Sequence, residues 1–168
     1  VWAASAAPSK ERAVSSATKR QTATVSAFSR QFRPTRKQRL QRRAIRRQVR
    51  RSPRASIAFT ADSSRSRPVP IAGYNASVWI LPADDGAVCT FIPDPVDGWG
   101  ASCATAEEVA NGSAVTLLGG GSTGPLTDSA IVAVVVPDGA EGPIVERRDG
   151  TVDALAVSSN VAAAVIPR

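Results

Sequence analysis

SVWILPADDGAVCTFIP, residues 77–93, decides the fold. Its two apolar runs, SVWILP (77–82) and AVCTFIP (87–93), are rich in β-branched and aromatic side chains, the types that suit a pleated, buried surface. Between them ADDG carries Asp85 and Gly86, residues that tolerate the positive φ a tight hairpin turn demands. The stretch predicts two paired antiparallel strands.

The pattern continues toward the C-terminus. DPVDGWGAS (94–102) reads as a turn-rich connection that carries Trp99 and returns the chain to Cys103. Thr105 and Glu108 have the spacing of a capping box, with Glu107 also in the first turn and Gly112 as a stop, which leaves room for a helix of two turns at most. SAVTLLG (113–119) and SAIVAVVVP (129–137) read as strands, the second apolar on both faces and therefore central in its sheet. Val136-Pro137-Asp138-Gly139 suits a β-turn with proline in second position. PIVERRDGTVDALAV (143–157) holds another Asp-Gly turn at Asp149 and Gly150, and NVAAAVIP (160–167) forms the last strand. About six or seven short strands and one short helix define a mainly β domain, a small antiparallel sandwich or partly open barrel.

Charge divides the chain. Residues 1–68 hold 18 of the 21 Lys and Arg against Glu11 and Asp62, a net of +16. Residues 69–168 hold Arg147, Arg148 and Arg168 against 12 acids, a net of −9. The pI near 10.7 describes neither half.

The basic half forms an extension, residues 8–68, ahead of an acidic β domain, residues 69–168. From Pro8 to Arg33 little can build a core, and the segment is expected to be mostly disordered apart from a helical turn near Val25–Phe32. Pro34 and Thr35 open a helix of about residues 35–52 that Pro53 stops. One side of that helix gathers Arg39, Arg42, Arg43, Arg46 and Arg50; the other holds Leu40, Ala44, Ile45 and Val49. Like charges at i,i+4, such as Arg39 with Arg43 and Arg47 with Arg51, each cost roughly 0.2–0.5 kcal/mol, so the isolated helix is marginal and acid is expected to favour it. TADSSRSRPVP (60–70) has the composition of a linker.

Cys89 and Cys103 are the only two cysteines, and the chain has no histidine. A tetrahedral Cys/His zinc site is thereby excluded. The pair reads as a disulfide, which would stabilise by roughly 3 kcal/mol in the chain-entropy account; the alternative is two buried free thiols packed as small apolar groups. A disulfide implies a compartment outside a reducing cytosol. The opening VWAASAAPSK reads either as the end of a signal peptide, residues 1–7, or as an Ala-rich start without targeting meaning. No run approaches the roughly 18–20 apolar residues of a membrane-spanning helix.

Without histidine, Ser-His-Asp and Cys-His catalysis are excluded. Asp84, Asp85, Asp94 and Asp97 fall in turns, where aspartate caps its own backbone. LLGGGSTGPLTD (117–128) is glycine-rich but lacks the Gly-Lys-Ser/Thr ending of a phosphate loop, and the spacing around Asp128 is not that of an EF-hand. No catalytic residue, metal or cofactor is indicated. Trp79 and Phe91 read as core; Trp99, flanked by glycines, is the candidate for an exposed contact.

Asp85-Gly86, Cys89, Cys103, Val136-Pro137-Asp138-Gly139, Asp149-Gly150 and Ser159-Asn160-Val161 together carry a resemblance. In these elements residues 77–166 resemble a small extracytoplasmic β domain of uncharacterised actinobacterial secreted proteins. The last element departs from that pattern, with Ser159 in place of aspartate and Ala162 in place of an aromatic residue, which leaves the register of the final strand open. The resemblance implies a secreted or cell-surface domain without an assigned reaction, often preceded by a signal peptide and a basic or Ala-rich helix.

Two functions are therefore expected. The first is a secreted, non-enzymatic structural or binding domain whose arginine helix, with Arg39, Arg42, Arg43, Arg46, Arg47, Arg50 and Arg51, meets an anionic cell-envelope polymer or the chain's own acidic domain. The alternative is a nucleic-acid-binding protein that tracks phosphates with residues 36–54.

Overall fold

The computed structural model of the protein describes residues 25–29, 31–54, 56–94, 98–119, 128–147 and 149–167. Among these, ten strands build two four-stranded antiparallel sheets and a two-stranded ribbon. The first sheet runs in the order β1 (Arg67–Pro70), β2 (Ser77–Pro82), β3 (Val88–Asp94), β4 (Gly98–Ala104). The second runs β5 (Val115–Gly119), β6 (Ser129–Val135), β10 (Val161–Pro167), β9 (Val157–Ser158), and β7 (Ile144–Glu146) pairs with β8 (Val152–Ala154). Three helices are added: α1 (Arg36–Arg51), α2 (Ile57–Thr60) and α3 (Ala106–Ala110).

The hairpin of residues 77–93 forms as its sequence predicts. Trp79 lies opposite Phe91 and Leu81 opposite Cys89. Asp85 and Gly86 take φ of 55° and 77° in the turn, and the Ala83 amide closes it on the Ala87 carbonyl at 2.8 Å. Because its apolar residues are consecutive and not alternating, both faces of this hairpin must be covered. Val78, Ile80, Val88 and Ile92 face the second sheet, where they meet Ile131, Ala133, Val135, Val161 and Ala163. Trp79, Leu81, Cys89 and Phe91 face the opposite way, toward α1 and α2. The architecture is thus a helical layer on a β-sandwich, and no barrel closes.

Among the described residues, the core between the sheets is apolar except for one pair. The hydroxyls of Thr90 on β3 and Thr116 on β5 hydrogen bond to each other across the sandwich, and Thr90 Oγ1 also donates to the Ser102 carbonyl at 3.3 Å. β6 is central in its sheet, as its two-sided apolarity requires. The register of the last strand is set by Val161 opposite Val135 and Pro167 opposite Ser129.

Several elements differ from their sequence reading. Gly98–Ala104, read as part of a turn-rich connection, is strand β4, so Cys103 lies directly opposite Cys89. Glycine, alanine and serine carry little strand preference of their own; seven ladder pairs with β3 hold them. Arg67–Pro70, assigned to a linker by composition, is edge strand β1, with Val69 buried. An edge tolerates Pro68 and Pro70 because a missing amide can be the one that faces away from the sheet. The turn after β6 closes between Pro137 and the Ala140 amide at 3.3 Å, one residue later than expected, with Gly139 at φ 78° supplying the left-handed position.

The expected helical turn near Val25–Phe32 is a single 3-10 turn, Ser26–Phe28. It docks on the sandwich. Ala27 is buried in the inter-sheet core, its amide donates to Asn160 Oδ1 at 2.9 Å, and the Ser26 amide donates to Asp138 Oδ2 at 3.1 Å.

Candidate functional site

The sequence that builds α1 leaves it little choice of orientation. Thr35 caps it, accepting the Gln38 amide at 3.3 Å while Gln38 Oε1 accepts the Thr35 amide at 2.9 Å. Only Ile45 and Val49 of the helix are buried, and they pack with Trp79, Leu81, Cys89 and Phe91. Full burial of such side chains is worth about 1.5–3 kcal/mol each, more than the like-charge repulsion along the helix. Leu40, grouped by sequence with the apolar side, is 58% exposed: five residues before Ile45 and nine before Val49, it lies about 140–180° round the helix from the buried pair.

With that face buried, Arg39, Arg43, Arg46, Arg47, Arg50 and Arg51 are exposed, and Arg42 is half-buried. Among the described residues none of these seven forms an ion pair with a carboxylate; the only such pair joins Arg147 to Asp153 on the β7–β8 ribbon. Apolar packing of Ile45 and Val49 and the Arg42 contact with the Ser66 carbonyl hold the helix.

Arg42 is the fixed member of the set. Its Nη2 donates to the Ser66 carbonyl at 2.9 Å, its guanidinium lies 5.6 Å from the Phe32 ring centre, and its buried Nε–H has no acceptor among the described residues. Arg67 stacks on the same ring at 5.3 Å, and Arg65 lies 6.0 Å from Phe28. Burial lowers the pKa of Arg42, an effect that Asp62 opposes. Burial also lowers that of Arg67, and the like charges of Arg42 and Arg65 add to it. Both stay charged near neutrality, since arginine begins so high.

A groove of about 410 Å³ runs between α1 and the turn that follows α2, lined by Arg39, Arg42, Arg43 and Arg46 on one side. Opposite lie Asp62, Ser63 and Ser64. Asp62 is committed to its own turn: Oδ1 accepts the Ser64 amide at 2.8 Å and the Ser64 hydroxyl at 2.6 Å. Burial pushes the Asp62 carboxyl up, yet the bonds from Ser64 and Arg65 and the Arg65 charge outweigh it, leaving the pKa lowered.

The other residues singled out by sequence fall elsewhere. Cys89 and Cys103 form a disulfide between paired strands, with Cα atoms 4.0 Å apart. Trp99 stands on β4 opposite Pro93; its side chain lies outside the described part of the structure, as do residues 120–127 of the glycine-rich stretch. No group of three or more Cys, Asp or Glu that could hold a metal gathers among the described residues. No helix there is long and apolar enough to cross a membrane. Phe28, Phe32 and the Ser66 carbonyl, which position Arg42, Arg65 and Arg67, were not legible as parts of a site; the four-residue spacing of the two phenylalanines ahead of the arginine run is the only trace of it.

Two of the quoted motifs meet. Asn160 of Ser159-Asn160-Val161 donates through Nδ2 to Asp138 of Val136-Pro137-Asp138-Gly139 at 2.8 Å and to the Val136 carbonyl at 3.0 Å. Compared with models of protein families, with curated proteins and with solved structures, the chain matches none.

Proposed function

We propose that this protein is a secreted or cell-surface, non-enzymatic binding domain that presents the arginine face of α1 to an anionic polymer of the cell envelope. The observation that carries the reading is the anchoring of α1 through Ile45 and Val49, which leaves six exposed arginines without carboxylate partners among the described residues. A rigid row of unpaired guanidiniums binds polyanions by releasing their counterions, and no base or sugar need be recognised. The Cys89–Cys103 disulfide supports an oxidising compartment, and the resemblance to small actinobacterial secreted domains points the same way. An external polymer is favoured over the chain's own acidic half because the contacts of α1 with the sheet are apolar. A nucleic-acid role is less well supported, since Phe28 and Phe32 are already covered by guanidiniums and are not free to stack on bases.

The test is retention of the purified, oxidised chain on immobilised anionic polymers at near-physiological salt. Binding to a phosphodiester or uronate polymer that exceeds binding to duplex DNA of equal charge density supports the reading. Stronger retention on DNA would replace it with the nucleic-acid function.

A further inference from the structure

We propose that the groove between α1 and the Asp62–Arg65 turn seats a phosphate group, so that the arginine face carries one shaped site within its general charge. The inference rests on the reading of α1 as a polyanion-binding face and names the chemistry of the group it grips.

Arg39, Arg42, Arg43 and Arg46 occupy three successive turns of α1 and line one wall. The opposite wall supplies the hydroxyl-bearing Ser63 and Ser64. Among the described residues, four cations therefore face a single carboxylate, Asp62, whose Oδ1 is occupied by the Ser64 amide and hydroxyl. The cluster is also pre-positioned. Arg39 Nη1 donates to the Pro34 carbonyl at 3.1 Å, and Arg42 is held by the Ser66 carbonyl and the Phe32 ring. Backbone carbonyls and an aromatic face fix these guanidiniums without neutralising them, and among the described residues the buried Arg42 Nε–H has no acceptor. Guanidinium forks match the paired oxygens of phosphate, and a tetrahedral anion can accept from several forks approaching from different directions, whereas a planar carboxylate has fewer directions to offer. Inorganic phosphate and the phosphodiester of a polymer share this chemistry.

The experiment compares the full, oxidised chain with Arg43→Gln, which alters the groove wall, and Arg47→Gln, which removes the same charge from the helix outside the groove. Each is titrated with sodium phosphate, with a soluble glycerol-phosphate polymer and with a uronate polymer, against sodium chloride at matched ionic strength, and binding is read from amide chemical shifts. The groove is supported if Arg43→Gln weakens binding about fivefold or more while Arg47→Gln changes it less than about twofold. That selectivity in the phosphate arm makes the free anion a sufficient ligand; selectivity in the polymer arm alone assigns the site to the diester. Equal losses in the two variants overturn the groove while leaving the arginine face a diffuse polyanion binder. Binding to a uronate polymer with none in either phosphate arm overturns the phosphate assignment. Failure to retain any polyanion removes both readings.

Discussion

Asn160 and Asp138 hydrogen bond side chain to side chain at 2.8 Å, and each uses a second oxygen or its remaining amide function to hold another part of the chain. Asn160 Oδ1 takes the Ala27 amide, Asp138 Oδ2 takes the Ser26 amide, and Asn160 Nδ2 also reaches the Val136 carbonyl. Asn160 sits at φ 63°, a left-handed position where asparagine is better tolerated than most residues. The clamp fastens the 3-10 turn Ser26–Phe28 to the end of the sandwich.

Replacing Asn160 separates its two roles. Asn160→Gly keeps the left-handed backbone and removes the amide, and is expected to cost about 1–2 kcal/mol. Asn160→Ala adds backbone strain, for a total of about 2–3 kcal/mol. Urea denaturation checks both. If the glycine variant were as stable as the parent, the clamp would contribute nothing.

Breaking the Cys89–Cys103 bond is expected to destabilise by about 3 kcal/mol, since the bridge closes a loop across 14 positions. The urea midpoint of the reduced protein should fall by at least about 1 M. A midpoint unmoved by reductant would mean that the seven ladder pairs of β3 and β4 suffice alone.

The anchoring of α1 predicts a contrast between two leucine-sized residues one turn and a residue apart. Ile45 is fully buried and Leu40 is 58% exposed. Ile45→Ala should cost about 2–4 kcal/mol and lower the helical signal, while Leu40→Ala should cost less than about 0.5 kcal/mol. Similar losses from both, read by denaturation, would place the helix in a different register on the sheet.

How far the sequence reveals this molecule depends on what each segment carries within itself. The hairpin of residues 77–93, the capping box at Thr105 and the central position of β6 are legible because the residues that decide them are local. β4 and β1 are not, because Gly-Trp-Gly-Ala-Ser and Arg-Pro-Val-Pro become strands only through partners elsewhere in the chain. The arginines of the candidate face are plain in the run 36–54. The groove is not: Asp62, Ser63 and Ser64 join it through the tertiary path of the chain, and Ser66 and Phe32 reach Arg42 by the same route.

Among the described residues, the lowered pKa values of three carboxylates contribute to the acid limb of stability. The backbone amide of Thr105, then its hydroxyl, lowers the pKa of Glu108. The Thr151 hydroxyl, then its amide, lowers that of Asp149, and Asp62 is lowered on balance despite the opposing effect of burial. A depressed folded-state pKa contributes stability above the unfolded value, and that contribution is lost as pH falls through the folded value. Stability should therefore be flat from neutrality down to the unfolded values of 4.5 for Glu and 3.8 for Asp, and decline below them. Glu108→Gln should make that decline shallower. Urea midpoints between about pH 2 and 6 measure it, and a decline of unchanged steepness in the variant would remove Glu108 from the account.

The threonine pair inside the sandwich predicts an asymmetry that a simple count of hydrogen bonds would not. Thr90 has two partners, the Thr116 hydroxyl and the Ser102 carbonyl, so Thr116→Val still leaves Thr90 a bond to make. That change should cost less than about 1 kcal/mol. Thr90→Val leaves the buried Thr116 hydroxyl facing an apolar methyl, which should cost about 1–3 kcal/mol. Replacing both removes the stranded hydroxyl, so the double variant should be more stable than the sum of the two single losses implies, by about 1 kcal/mol. A double-mutant cycle by denaturation gives all four values. Strict additivity would show that the two hydroxyls do not depend on each other, and that the two sheets are held at this point by their apolar neighbours alone.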